Sequence, residues 1–198
     1  MDYEAAVIDF LSQEENLPFI LELSEKVGQV KDKLHQKFWK KVETKLKERL
    51  NESSLKIDWR LILDDDIFSS WKGISLSPIT KSKYLYVYPK LEQWSGDLRL
   101  FYGIHWSQQI ETSITIQLIN DFLQVLKDTG YIIGKSSWWP AYQLTDIRPK
   151  SNDFLLRISK NIDSHVNNII DIFWEFFSDN AEMMKNINQA IASNERCP

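Results

Sequence analysis

Between Leu17 and Leu50 the apolar residues Ile20, Leu23, Val27, Val30, Leu34, Phe38, Val42, Leu46 and Leu50 fall three or four positions apart without a break. An α-helix, with 3.6 residues per turn, keeps residues so spaced on one side, and no strand does. Asn16-Leu17-Pro18 offers a start, with Asn as cap and Pro in the first turn, and Asn51-Glu52-Ser53-Ser54 offers a stop. At ~1.5 Å per residue such a helix reaches ~45 Å, more than a body of this size needs. Its first half, Ile20 to Leu34, keeps a 3-4-3-4 rhythm suited to packing along another helix, either its own neighbour or a partner's, which leaves a homodimer open. The spacing divides one domain, 1–198, into a helical arm over 17–50 and a sheet-and-helix body over 56–198.

The body is centred on Leu98 to Trp106, an aromatic and β-branched stretch bounded by Ser95-Gly96-Asp97 that reads as a central strand. Shorter strands are expected at Lys56–Leu63, Gly73–Pro78, Tyr84–Pro89, Tyr131–Ile133 and Trp138–Leu144, with a stronger one at Phe154–Ile158. Leu118, Ile119, Phe122, Val125 and Leu126 form a helical stripe ending at Gly130, while the boundary between Ile110 and Ile116 stays open because apolar residues also alternate there. A short helix near Ala5–Leu11 precedes the arm. Ile162, Val166, Ile169, Ile170, Phe173 and Phe177 share one helical face, and Asp179 with Glu182 resembles a capping box that starts a last helix. The expected class is α+β: a long N-terminal helix, a central, mostly antiparallel sheet, one middle helix and C-terminal helices.

Composition narrows the class further. With 43% hydrophobic and 13% aromatic residues, eight of them Trp, the chain has the material for a real core. A net charge of -4 neither demands nor excludes nucleic acid, since a basic face can sit on an acidic protein. The one cysteine, Cys197, excludes an internal disulfide and fits a reducing compartment. An acidic N-terminus without an apolar run of ~20 residues gives neither signal peptide nor membrane span, so a cytoplasmic protein is expected.

The strongest chemical signal lies on the long helix. From Lys31 to Arg49 there are eight Lys or Arg against three acids, and Lys33, Lys37, Lys41, Lys45 and Arg49 recur every four residues, each just before an apolar position. They form a ridge beside the apolar ridge. Such a ridge can track DNA phosphates, with a steep salt dependence, or serve as a solvated flank whose aliphatic stems cover the edge of the core. Asp64-Asp65-Asp66 is the one dense acid cluster, and carboxylates of that kind can hold Mg²⁺. Glu43-Thr44-Lys45 has the letters of a nuclease strand but falls in the helix, before the Asp cluster. His35, His105 and His165 lie on separate elements without ligand spacing, so neither metal nor cofactor is expected. No serine elbow or phosphate-binding glycine loop occurs. Trp138, Trp139 and Tyr142 are aromatic enough for a stacking platform; on a strand, adjacent Trp residues would face opposite sides.

Leu17-Pro-Phe-Ile-Leu-Glu-Leu followed by Leu34-His-Gln-Lys-Phe38-Trp39-Lys-Lys-Val42-Glu-Thr-Lys-Leu46 resembles the region behind the catalytic core in bacterial PD-(D/E)XK nuclease-superfamily proteins. In that region a long helix carrying Phe-Trp leads into Trp- and Tyr-rich strands. The acidic strand pair that defines the family lies upstream of the helix and would fall before Met1, so no catalytic residue carries over. The resemblance implies a non-catalytic accessory module of a restriction or phage-defence nuclease, packing on the nuclease core or another protein and assisting DNA binding through Lys33, Lys37, Lys41, Lys45 and Arg49. The residues alone leave a second reading, a stand-alone sensor that takes a protein or ligand through Trp138, Trp139 and Tyr142.

Overall fold

A computed structural model describes residues 2–66, 71–94, 98–109, 117–134 and 136–194. Helix α1 (Tyr3–Leu11) and helix α2 (Leu17–Glu52) come first, followed by a 3-10 turn (Ser54–Ile57). The strands are β1 (Trp59–Leu63), β2 (Gly73–Pro78), β3 (Val87–Gln93), β4 (Leu100–Trp106), β5 (Ile132–Ile133) and β6 (Ala141–Leu144). Helix α3 (Gln117–Asp128) lies between β4 and β5, and helix α4 (Asn152–Asn194) ends the described chain. The strands form one sheet in the order β1-β2-β3-β4-β6-β5, each neighbouring pair antiparallel, so the architecture is α+β.

Period-two alternation gives this sheet two unlike faces. Ile74, Leu76, Val87, Leu91, Leu100, Tyr102, Ile104 and Ala141 point toward the helices and join Phe38, Val42 and Leu46 of α2 and Phe154, Phe173 and Phe177 of α4 in one core. Asn188 of α4 fixes the register of helix against sheet, because its amide accepts from the Val87 N–H (2.7 Å) and donates to the Val87 carbonyl (2.9 Å). The β2 ladder on β3 stops at Lys90. Next comes Pro89, which has no N–H to give and so sits where that ladder ends.

The outer half of the arm is bare. No described residue before His35 is buried, and ten of the twenty exposed large hydrophobics among the described residues lie before residue 31. Leu23, Val27 and Val30 of the expected seam are 48%, 44% and 56% exposed. Isolated surface apolar residues are ordinary, but a contiguous apolar helix face is the mark of an interaction surface.

The structure corrects several expected boundaries. Asn16 has helical backbone angles and makes no cap; its amide donates to the Phe10 carbonyl at 2.9 Å and closes the corner between α1 and α2. Phe154–Ile158 is helical, with the Ser151 hydroxyl accepting from the Phe154 N–H at 3.2 Å. Its run of five residues is too short to separate strand from helix by pattern, and burial of Phe154, Leu155 and Ile158 is helical in spacing. Asp179 and Glu182 lie inside α4. The break in that helix is at Asn161 (φ -153, ψ 81), whose side chain accepts from the Ser164 N–H and caps the longer segment. The start of Lys56–Leu63 is a 3-10 turn, and Tyr84 and Leu85 are held in a turn by the Ser82 hydroxyl. Trp138 and Trp139 precede β6 rather than lying in it. The Ile110–Ile116 stretch, Ser95-Gly96-Asp97 and Cys197 lie outside the described residues.

Candidate functional site

The expected basic ridge divides in two. Lys41 donates to Asp163 at 2.8 Å, Lys45 to Asn167 at 2.6 Å with Asp163 at 3.6 Å, and Arg49 to Asp171. Asp163, Asn167 and Asp171 are themselves four apart on α4, so one polar ridge lies along another and sets the alignment of the two helices. Hydrogen bonding from Lys41 holds the Asp163 carboxyl below the usual carboxylate range. Exposed pairs of this kind stabilise little individually. Lys33 and Lys37, by contrast, have no carboxylate within 4 Å among the described residues; with Lys40, Trp39, Glu43 and Leu63 they line an open groove of about 500 Å³.

On the helix-free face of the sheet, register brings together charges that are remote in sequence. Ser75, Lys90, Gly103 and Tyr142 form one row across β2, β3, β4 and β6, and Gly73, Glu92, Phe101 and Leu144 form the next. Lys90 reaches Asp64 at 3.0 Å and also pairs with Glu92, while Asp64 accepts from the Gly73 N–H at 3.0 Å. Glu92 is 2% exposed and Lys90 7%. Burial pushes the Glu92 carboxyl up to about 7, against the opposing pull of Lys90. The neighbour of Lys90 in the row is Gly103, where the β6 backbone approaches so closely that a Cβ would stand 2.2 Å from the Ala141 carbonyl oxygen.

Beside this triad stands an aromatic cluster separate from the main core. Trp139 is buried and packs on Phe101 with ring centres 4.6 Å apart; Tyr142 and Trp94 flank Phe101 at 5.9 and 5.4 Å. His105 lies against Tyr88 (5.2 Å), Trp138 (5.5 Å) and Trp139 (4.9 Å). Thus both tryptophans of the pair meet the same imidazole, one buried and one 40% exposed. Trp71, on the same face against Trp94 and Phe101, has φ +63. A left-handed backbone costs a bulky residue roughly 1–2 kcal/mol, and such strain clusters at functional sites.

The histidines belong to hydrogen-bonded and aromatic surroundings. His35 Nε2 lies 2.7 Å from Gln93 Oε1, and the Trp39 indole N–H reaches both atoms, at 3.1 and 3.2 Å, so one buried polar cluster ties α2 to β3. Desolvation lowers His35 to about 4 and His105 to about 3, which keeps both neutral. The His105 Nδ1–H donates to the Trp106 carbonyl. His165 lies edge-on to Phe154. Asp65 and Asp66 are exposed while Asp64 turns to the sheet, so the three acids do not converge. Among the described residues no group of three or more His, Cys, Asp or Glu could hold a metal ion. Glu43-Thr44-Lys45 stays mid-helix in α2, with Lys45 engaged by Asn167.

The residues that sequence reasoning missed are Lys90 and Glu92. An expected strand end at Pro89 excluded them, although Tyr88, Lys90 and Glu92 alternate on β3 and that alternation was the signal that could have found them. The face buries the Asp64–Lys90–Glu92 cluster beside tilted and edge-on rings and presents Trp71, Trp94 and Trp138 to solvent. No helix is long and apolar enough to cross a membrane among the described residues. Comparison with family models, with curated proteins and with solved structures finds no match to this chain.

Proposed function

We propose that this chain is a non-catalytic binding module, of the accessory kind that its resemblance to PD-(D/E)XK-type nucleases implies, and that it joins its partner through the arm formed by α1 and the outer half of α2. The observation that supports this reading is the exposed seam of Leu23, Val27 and Val30, part of an arm that carries ten of the twenty exposed large hydrophobics among the described residues. The partner that best fits is a second copy, with the arms antiparallel. Residues 2–25 carry seven acids and no Lys or Arg, whereas Lys26 to Arg49 is strongly basic. Antiparallel arms set the acidic end of each copy beside the basic stretch of the other; parallel arms would set like against like. Layers of Ile20 on Val30 and Leu23 on Val27 then repeat symmetrically about Glu25.

Light scattering across a concentration series tests the reading. The wild type should reach twice the chain mass, and Leu23→Glu/Val27→Glu/Val30→Glu should remain a monomer with an unchanged far-ultraviolet circular dichroism spectrum. A wild type that stays monomeric at the highest attainable concentration would refute the second copy as partner and direct attention to a nuclease core or another helical protein.

A second reading, ligand sensing through the aromatic face, is favoured by the left-handed Trp71 beside exposed Trp94 and Trp138. Loss of ligand-induced fluorescence change on Trp138→Ala, with the arm intact, would support it. DNA contact, for its part, would draw on Lys33 and Lys37, the two ridge lysines that no described carboxylate engages.

A further inference from the structure

Helices α3 and α4 and strand β6 enclose a groove of about 690 Å³, within the range of roughly 300–1,000 Å³ usual for small-ligand sites. Its floor is aromatic. The Tyr131 and Phe176 rings lie 5.3 Å apart at 33°, and Tyr102 meets Phe176 edge-on at 5.5 Å. Tyr102, itself buried, donates its hydroxyl to Gln143 Oε1 at 2.9 Å. The lining contains Asp146, Glu175 and Asp179 and no Lys, Arg or His. Asp146, fully exposed at the groove's edge, pairs with Arg99 at 3.0 Å. Glu175 and Asp179, one turn apart on α4, have no cation within 4 Å among the described residues, so the groove carries their charge unbalanced. Tyr131 registers that field: its phenol is raised by burial first, then by Tyr102, Glu175 and Asp179.

We infer that this groove binds a small organic cation, an ammonium or guanidinium group with an apolar body, whose charge sits between the Glu175 and Asp179 carboxylates and the half-buried Tyr131 ring, which Phe176 backs. Two independent features converge on that chemistry. Ring faces attract cations through their quadrupole, more so when water is excluded, and the two carboxylates supply the counter-charge that no other lining residue supplies. A neutral ligand of the same shape would leave them unmet. The inference concerns a different surface from the arm and stands or falls separately from the proposed association.

Isothermal titration with benzyltrimethylammonium as probe and benzyl alcohol as neutral control, at physiological salt, tests the site. The probe should bind saturably, and the alcohol at least tenfold more weakly. Glu175→Gln/Asp179→Asn should weaken the probe at least tenfold, whereas Glu182→Gln, an acid of the same helix outside the groove, should not change it. Tyr131→Phe, which keeps the ring, should retain binding that Tyr131→Ala loses. Absence of saturable binding by the wild type, equal binding of the alcohol, or full binding by Glu175→Gln/Asp179→Asn would each overturn the inference.

Discussion

Glu92→Gln isolates the cost of burying a carboxylate beneath the aromatic face. Glu92 is 2% exposed, and its carboxyl is raised from 4.5 to about 7, mainly by desolvation, with Lys90 and Lys72 opposing the rise and Asp64 reinforcing it. Because the folded value lies above the unfolded one, the native state holds more protons between them. Stability from this group is therefore full below 4.5 and falls as pH rises through about 7. Each tenfold change in proton affinity is worth ~1.4 kcal/mol, so between pH 5 and pH 8 the wild type should lose about 2 to 3 kcal/mol relative to Glu92→Gln. His35 and His105, held neutral by burial, act in the opposite direction, since the unfolded chain takes up their protons more readily. They are common to both proteins and cancel in the difference. Urea unfolding of the pair at pH 5, 6, 7 and 8 measures it. A difference that is flat with pH, or that grows in favour of the wild type as pH rises, would refute the account of Glu92 as a desolvated group only partly compensated by Lys90.

Other expectations follow from the same geometry. Lys90→Met leaves Asp64 and Glu92 facing each other without their shared cation, and unfolding should become about 3 kcal/mol easier at pH 8, with a smaller loss at pH 5 where Glu92 protonates. Gly103→Ala must displace β6, since its Cβ would stand 2.2 Å from the Ala141 carbonyl oxygen; a loss of about 2 kcal/mol in chemical denaturation is expected. Trp139→Ala, which empties a buried site against Phe101, should cost about 3 kcal/mol or more, and Trp138→Ala less than about 1 kcal/mol. Charge reversal at Lys41 and Asp163 together should restore the melting temperature lost in either single reversal, if the two form a direct pair.

Legibility followed range in sequence. Helix α2 could be read because its apolar spacing persists from Ile20 to Leu50, most of a 36-residue helix, and β4 because aromatic and β-branched residues dominate Leu100–Trp106. The first turns of α4 could not, since Phe154–Ile158 is an apolar patch whose length suits either element and whose helical neighbour, Phe38, lies 116 residues away. Partners of the basic ridge were visible only as a matching four-residue spacing of Asp163, Asn167 and Asp171, which means nothing until α4 is laid along α2. The Asp64–Lys90–Glu92 triad depends on register across three strands. No local pattern encodes that register. Trp138 and Trp139 were legible as aromatics, but their meeting on His105 depends on the loop before β6.

The antiparallel joining of two arms is tested most directly by electron–electron distance measurement on spin labels. In a Cys197→Ser background, a label at Gln36, an exposed position of α2, should lie roughly 33 Å from its counterpart if the arms run antiparallel about Glu25. A label at Gln29 should lie roughly 12 Å from its counterpart along the axis. Those two distances, with both signals lost in Leu23→Glu/Val27→Glu/Val30→Glu, are what the account predicts. Equal short distances at both positions would mean parallel arms and defeat the charge argument, and an absence of dipolar modulation would mean that the arm does not join a second copy.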